Sequence, residues 1–172
     1  YVVAGIEQSA PLLAKFPKLV NGGLKLAPTK FLLEKTVGYV DSPLLSVPTL
    51  AQQLDGQFTF DLAKLQAMSA TERQNVVLLI QDPFTSFYEA ELVADALSLL
   101  TKLGFHPVLL PFLPNGKPQH VKGFLREFAS TAATAAEFLN QLQPLGLPML
   151  GLDASLVLVY RDEYRKALGD RR

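Results

Sequence analysis

From Asn75 onward the apolar and polar positions fall into a repeating order. "NVVLLIQ" is a short unbroken run rich in branched side chains, the pattern of a strand covered on both faces. A helical stripe follows, with Leu92, Val93, Ala96, Leu97, Leu100 and Leu103 on one face, and Gly104 supplies the stop. "HPVLLP", from His106 to Pro111, reads as a second strand. "NGKPQ" makes a turn and places Pro118 in a first helical turn. One long helix is then expected, with Val121, Phe124, Leu125, Phe128, Ala132, Ala135, Phe138, Leu139 and Leu142 as its apolar face. "LPMLGLD" gives a third strand and "ASLVLVYRDEYRKALG" a third helix ending at Gly169. This alternation predicts an α/β fold: a three-layer, mostly parallel sheet with flanking helices and right-handed crossovers.

Residues 1–74 have another texture. "SAPLLAKFPKLV", "APTKFLLEKTVG" and "DSPLLSVPTLAQQL" are short helical patterns broken by Pro and Gly, because a helix interior tolerates Pro badly, at about 3 kcal/mol. They predict a helical linking arm, 1–74, ahead of an α/β half-module, 75–172. Ser69 followed by Glu72 fits a capping box for a last short helix before the first strand.

Composition narrows the function. The 172 residues are 49% hydrophobic and 19% charged, enough to bury a core in one compact domain. Lys plus Arg and Asp plus Glu both number 16, so the overall charge favours neither nucleic acid nor an anionic membrane. No signal-like head opens the chain, and a cytoplasmic protein is expected. A first residue of Tyr rather than Met suggests a piece of a longer protein. Cysteine is absent, which removes disulfides, thiolate nucleophiles and iron–sulfur ligation by this chain.

In parallel sheets ligands gather beyond the carboxyl ends of the strands, here 81–86, 111–120 and 153–155. Asp82, Ser86 and Tyr88 leave the first strand together. They would either orient a polar ligand or serve as turn and helix cap, Asp82 with Pro83 as the turn and Ser86 as the cap. Ser86 lacks the GxSxG setting of a serine hydrolase. "PNGKPQHVK" sets Lys117, His120 and Lys122 around a glycine turn, a weak anion-site signal without a P-loop or dinucleotide pattern. His106, before Pro107, reads as structural, and two histidines without paired spacing make no metal motif. "RDEY", Arg161 to Tyr164, is either a solvated helix face or a docking surface.

The stretches "QDPFTSFY", "LPFLPNGK", "QHVKGFL" and "YRDEY" carry a resemblance covering residues 10 to 168. The chain resembles the cysteine-rich (CCG) domain of iron–sulfur oxidoreductases. More closely, it is similar to the C-terminal region of fused FAD-linked oxidase and iron–sulfur proteins of the D-2-hydroxyglutarate or D-lactate dehydrogenase type. The resemblance places Pro83 where that domain's first cysteine stands, Pro114 and Asn115 at its cysteine pair, and Leu156 at its last cysteine. The ligands are lost while Gly116, Pro118, Ser155 and Arg161 to Tyr164 are kept.

The resemblance implies a non-catalytic part of a D-2-hydroxyacid dehydrogenase with no cofactor of its own. FAD and 4Fe-4S clusters are then expected in the parent protein. Implied partners are the FAD-binding domain, a ferredoxin-like segment and a second CCG half of the same polypeptide, together with an electron acceptor that could bring the protein to the inner face of the membrane. Nucleic acid is not among them, and an isolated half would be prone to self-association. No catalytic residue is expected. Asp82, Ser86, Tyr88, Asn115, Lys117 and His120 are the candidates for a residual polar pocket or an interdomain contact. Two alternatives stand beside this reading: a docking module that meets a partner subunit or electron acceptor, and a small-molecule-binding regulatory domain.

Overall fold

The computed structural model describes residues 5–38 and 42–169, so Tyr1, and the Asp41 that begins the stretch "DSPLLSVPTLAQQL", lie outside the described residues. Five short helices come first: α1 (Ile6–Leu13), α2 (Pro17–Lys25), α3 (Ala27–Val37), α4 (Leu50–Leu54) and α5 (Leu62–Ala67). Then follow β1 (Val76–Ile80), α6 (Pro83–Tyr88), α7 (Ala90–Lys102), β2 (His106–Leu109), α8 (Lys117–Val121), α9 (Leu125–Leu142) and β3 (Met149–Gly151). The last helix runs as α10 (Ala154–Leu158), a π-helical turn at Val159–Glu163, and α11 (Tyr164–Leu168). Among the described residues no helix is long and apolar enough to cross a membrane.

The sheet has three parallel strands in the order β2-β1-β3, Val76 facing His106 and Leu78 facing Met149. Side chains of β1 alternate between its two faces. Leu79 packs with Leu50 and Leu54 of α4 and with Ala90, Val93 and Leu97 of α7. Val76 and Leu78 pack on the other side with Leu65 of α5, Leu110 and Leu142 of α9. The expected three layers are present, and α4 and α5 of the arm supply part of both helical layers. A third cluster joins α9 to the C-terminal helix through Phe128, Ala132, Ala135, Val159 and Tyr164.

Four local expectations are corrected. The helix after β1 is two helices, broken at Glu89, so the buried positions of α7 are Ala90, Val93 and Leu97 while Leu92 and Leu103 are exposed. The long helix is interrupted by Gly123 at φ +78°, so α8 and α9 do not share one continuous face, and Val121 before the break and Leu125 just after it are exposed. Ser69 and Glu72 do exchange the capping-box bonds, at 2.7 and 3.3 Å, yet they close a turn rather than a helix. Ser86 caps nothing. Asp82 is the cap of α6, its carboxylate accepting from the N–H groups of Phe84 and Thr85.

Candidate functional site

The chain leaves β1 for β2 on one side and then crosses to β3 on the other. The carboxyl ends of β1 and β3 therefore border the reversal point where open α/β sheets bind ligands. Two aspartates are fixed there by capping: Asp82 at the start of α6, and Asp153 at the start of α10, which accepts from the N–H groups of Ser155 and Leu156. The loop after β2 closes the space. Asn115 Oδ1 accepts from the Lys117 N–H at 2.8 Å, folding the backbone into a tight Asx turn. Gly116 sits in that turn at φ +78°, where a Cβ would come within 2.8 Å of the Phe128 ring, so only glycine fits. The turn aims the N–H groups of Asn115 and Gly116 at one point, a backbone nest suited to an anion.

That anion is supplied by the chain itself. Glu7 of α1, 1% exposed, accepts from Asn115 N–H at 2.7 Å and from Gly116 N–H at 2.9 Å through its second oxygen. α1 is an N-terminal arm helix, yet its carboxylate reaches the crevice of a domain more than a hundred residues away along the chain. From the opposite side, the Tyr164 hydroxyl donates to the Asn115 carbonyl at 2.8 Å. The Asn115 peptide is thus held at both its N–H and its C=O.

One ammonium serves three carboxyl groups. Lys117 Nζ lies 2.5 Å from Asp153 Oδ2. Burial pushes the Asp153 carboxyl up, but the Lys117 ammonium, the Ser155 hydroxyl and the Ser155 N–H outweigh it and hold the group at about 2. Glu7 and Asp82 share the same ammonium at longer range. Burial pushes the Glu7 carboxyl up; the Asn115 and Gly116 N–H groups oppose this, and the charge of Asp82 adds to it. Asp82 is likewise pushed up by burial, against its cap bonds and Lys117, with Asp153 adding to the rise. Both carboxyls are raised from their ordinary values. Burial and the nearby carboxylates raise the phenols of Tyr160 and Tyr164 as well, so both stay neutral hydroxyls.

Of the residues singled out from sequence, Asp82, Asn115 and Lys117 come together in this crevice. Ser86 is buried beneath it, and His120 stands on its rim, 3.3 Å from Glu163 and with its ring 4.8 Å from that of Phe128. Tyr88 is elsewhere, against Ile6, Ser9 and Leu45 beside a cavity of about 230 Å³. Lys122 is exposed on the surface. "RDEY" is no plain solvated face, because its Tyr164 is buried. Among the described residues three buried side-chain atoms are without a hydrogen-bond partner: Asp82 Oδ2, Ser86 Oγ and Asn115 Nδ2. Sequence reading missed Glu7 and underrated Asp153 and Tyr164. The one available signal was that Glu7 is the lone acid in the first 33 residues.

Iron–sulfur ligation requires thiolate donors. Pro83 is buried at the start of α6, Leu156 lies fully buried in α10, and Pro114 directly precedes Asn115, whose N–H is part of a nest already holding a carboxylate. These four positions do not fit a cluster. Among the described residues no group of three or more His, Asp or Glu gathers as metal ligands. On the β1–β2 side lies a largely apolar cavity of about 360 Å³, with Leu50, Leu54, Leu109 and Phe112 in its wall and Lys15, Thr49, Gln81 and Ser86 as its polar members.

No family model and no solved structure matches the chain. Curated relatives do. A protein of Pantoea ananatis named D-2-hydroxyglutarate dehydrogenase is 53% identical over 174 residues, covering 100% of this chain and 17% of that relative. Proteins of the same name from Escherichia coli K12 and Pseudomonas putida KT2440 are 51% and 37% identical, covering 100% and 98% of this chain and again 17% of each relative. The chain is therefore a homologue, over its whole length, of one stretch making up 17% of proteins named D-2-hydroxyglutarate dehydrogenase.

Proposed function

We propose that this chain is a non-catalytic domain from the C-terminal region of an FAD- and iron–sulfur-dependent D-2-hydroxyacid dehydrogenase, with D-2-hydroxyglutarate as the leading substrate. One observation carries the reading. At the place where an α/β domain of this topology would hold its ligand, the anion nest is filled by the chain's own Glu7 and the cation by its own Asp153. A crevice closed by internal partners supports neighbouring parts rather than turning over a substrate. The names of the relatives supply the substrate class.

In the complete protein, FAD would supply two-electron acceptance and iron–sulfur clusters would supply one-electron relay, held by parts of the polypeptide outside this chain. The residues of this chain form a hydrogen-bonded, largely buried wall. Asn115 is fixed from both sides, Lys117 is neutralised by Asp153, and the Tyr160 and Tyr164 rings, 4.9 Å apart, close the rear. The resemblance favours this support role over the regulatory alternative. The docking alternative loses Lys117, which Asp153 already holds, from its proposed contact surface.

The test uses the complete protein. Purified holoenzyme should show flavin and iron absorption and dye-coupled turnover with D-2-hydroxyglutarate. Asp153→Asn should lower its melting temperature while turnover per bound flavin stays within about threefold, a change of under 1 kcal/mol in barrier. A protein with neither flavin nor iron would sink the dehydrogenase reading. Lost turnover in a stable, fully loaded Asp153→Asn variant would sink the support role alone.

A further inference from the structure

The arm carries a surface that the other described residues leave open. Among the described side chains, none from residue 17 to 25 or from 27 to 36 is buried. Helices of 9 and 11 residues are marginal on their own, since helices shorter than about 12–15 residues need tertiary packing to persist. Their outward side is apolar: Leu19 is 76% exposed, Phe31 63%, and Phe16, Leu26 and Leu32 are similarly open. Scattered single apolar residues on a surface are ordinary, but five within 17 positions of one arm make a patch.

Two further observations describe what would cover it. Charge is one. From residue 5 to 38 the exposed ionic side chains are Lys15, Lys18, Lys25, Lys30 and Lys35 against Glu34 alone, because Glu7 is buried. The neutral total of the chain hides this basic, apolar arm. Backbone is the other. Gly22 and Gly23 occupy the interior of α2, where each costs about 1 kcal/mol relative to Ala. A Cβ at either would meet nothing within 4 Å. No contact among the described residues therefore requires glycine here, whereas a bare helix flank lets another backbone approach closely.

A flat lipid surface fits this arrangement poorly. Interfacial helices confine their apolar residues to one stripe. In α3, Phe31, Leu32 and Leu33 are consecutive, at about 100° steps around the helix. Leu33 lines the inner cavity with Leu13, Val20 and Leu24, while Phe31 and Leu32 point to other sides. Covering them needs a groove that wraps the helix.

We infer that the α2–α3 face is an interdomain docking surface, and that its occupant is another domain of the same polypeptide presenting an apolar groove rimmed by Asp and Glu. The inference rests on the reading of this chain as one part of a longer dehydrogenase, whose relatives devote the other five-sixths of their length to sequence outside this match. The acidic rim answers the five lysines, and the groove seats Leu19, Phe31 and Leu32 against the Gly22–Gly23 flank.

Hydrogen exchange on the complete protein reads this surface directly. Peptides covering 17–37 should be protected at least tenfold beyond the rate of an unstructured chain. The double variant Leu19→Asp, Phe31→Asp should lose that protection while peptides of β1 keep theirs. Carbodiimide should join Lys18, Lys25 or Lys30 to an Asp or Glu of another domain within one molecule. Unstructured exchange rates across 17–37 in the wild-type protein would overturn the inference. So would lysine cross-links found only between isotopically distinct copies, or co-sedimentation with phosphatidylglycerol vesicles abolished by the double variant. None of these readouts depends on flavin, iron or turnover, so failure here leaves the dehydrogenase reading standing, and the converse also holds.

Discussion

Replacing Glu7 by Ala tests whether the arm is latched to the α/β part by one carboxylate. The change strips the acceptor from two buried donors, the N–H groups of Asn115 and Gly116, now bonded at 2.7 and 2.9 Å. Leaving one buried donor unsatisfied costs about 1–3 kcal/mol, so two give about 2–6. Part is returned, because burial already strains the ionised carboxyl, as its raised pKa shows, and that strain leaves with it. A net loss of about 2–4 kcal/mol is expected. With a urea slope near 2 kcal/mol/M, the unfolding midpoint of the 172-residue chain should fall by about 1–2 M. Glu7→Gln should lose about half as much, since its amide oxygen keeps one bond and its NH₂ faces the other donor. Trypsin should cut earlier at Lys15 and Lys18 in both variants. A midpoint shift below about 0.25 M for Glu7→Ala, with unchanged tryptic cleavage, would refute the latch.

Other expectations are independent of that one. Gly116→Ala should destabilise by about 2 kcal/mol or more in the same urea titration, since a side chain at φ +78° costs about 1–2 kcal/mol before the 2.8 Å clash with Phe128 is counted. Tyr164→Phe leaves the buried Asn115 carbonyl without its hydroxyl donor and should cost about 1–2 kcal/mol. The pH dependence of stability should have two arms. Asp153, depressed to about 2, contributes stability that is present above its unfolded value near 3.8 and lost as pH falls towards 2; Asp153→Asn should flatten that acid arm. Glu7 and Asp82, raised above the ordinary values of 4.5 and 3.8, contribute in the opposite sense. Their share is complete below those values and is lost as pH rises through the raised ones, so Glu7→Gln should flatten the loss on the less acidic side.

The strands were legible because a buried parallel strand announces itself as an unbroken apolar run, and Val76 to Ile80 needs no partner to be recognised. Helix faces were legible only until a backbone event rotated them. Gly123 and Glu89 reset the phase of their helices, so residues such as Val121 and Leu92, correct in period, ended in solvent. In the crevice, Asp82, Asn115 and Lys117 could be named because topology alone puts strand ends together. Glu7 could not, since its role depends on the path of an arm whose short helices carry no register of their own. Choosing Ser86 over Asp82 as the cap was a local competition: the aspartate, one position before the proline, reaches the free N–H groups first.

The π-helical turn at Val159–Glu163 holds one more residue than an α-helical path would use over the same rise. Each residue of an α-helix advances the direction by about 100°, so α10 and α11 are two reading frames of one rod, offset by that surplus position. In the second frame Tyr164 meets Asn115, while in the first Leu156 meets the core. Spacing between those two residues is therefore a fixed length rather than a tolerant linker. A relative with a single deletion between them would keep the helix and lose the join, and an alignment gap placed there would misassign every contact downstream.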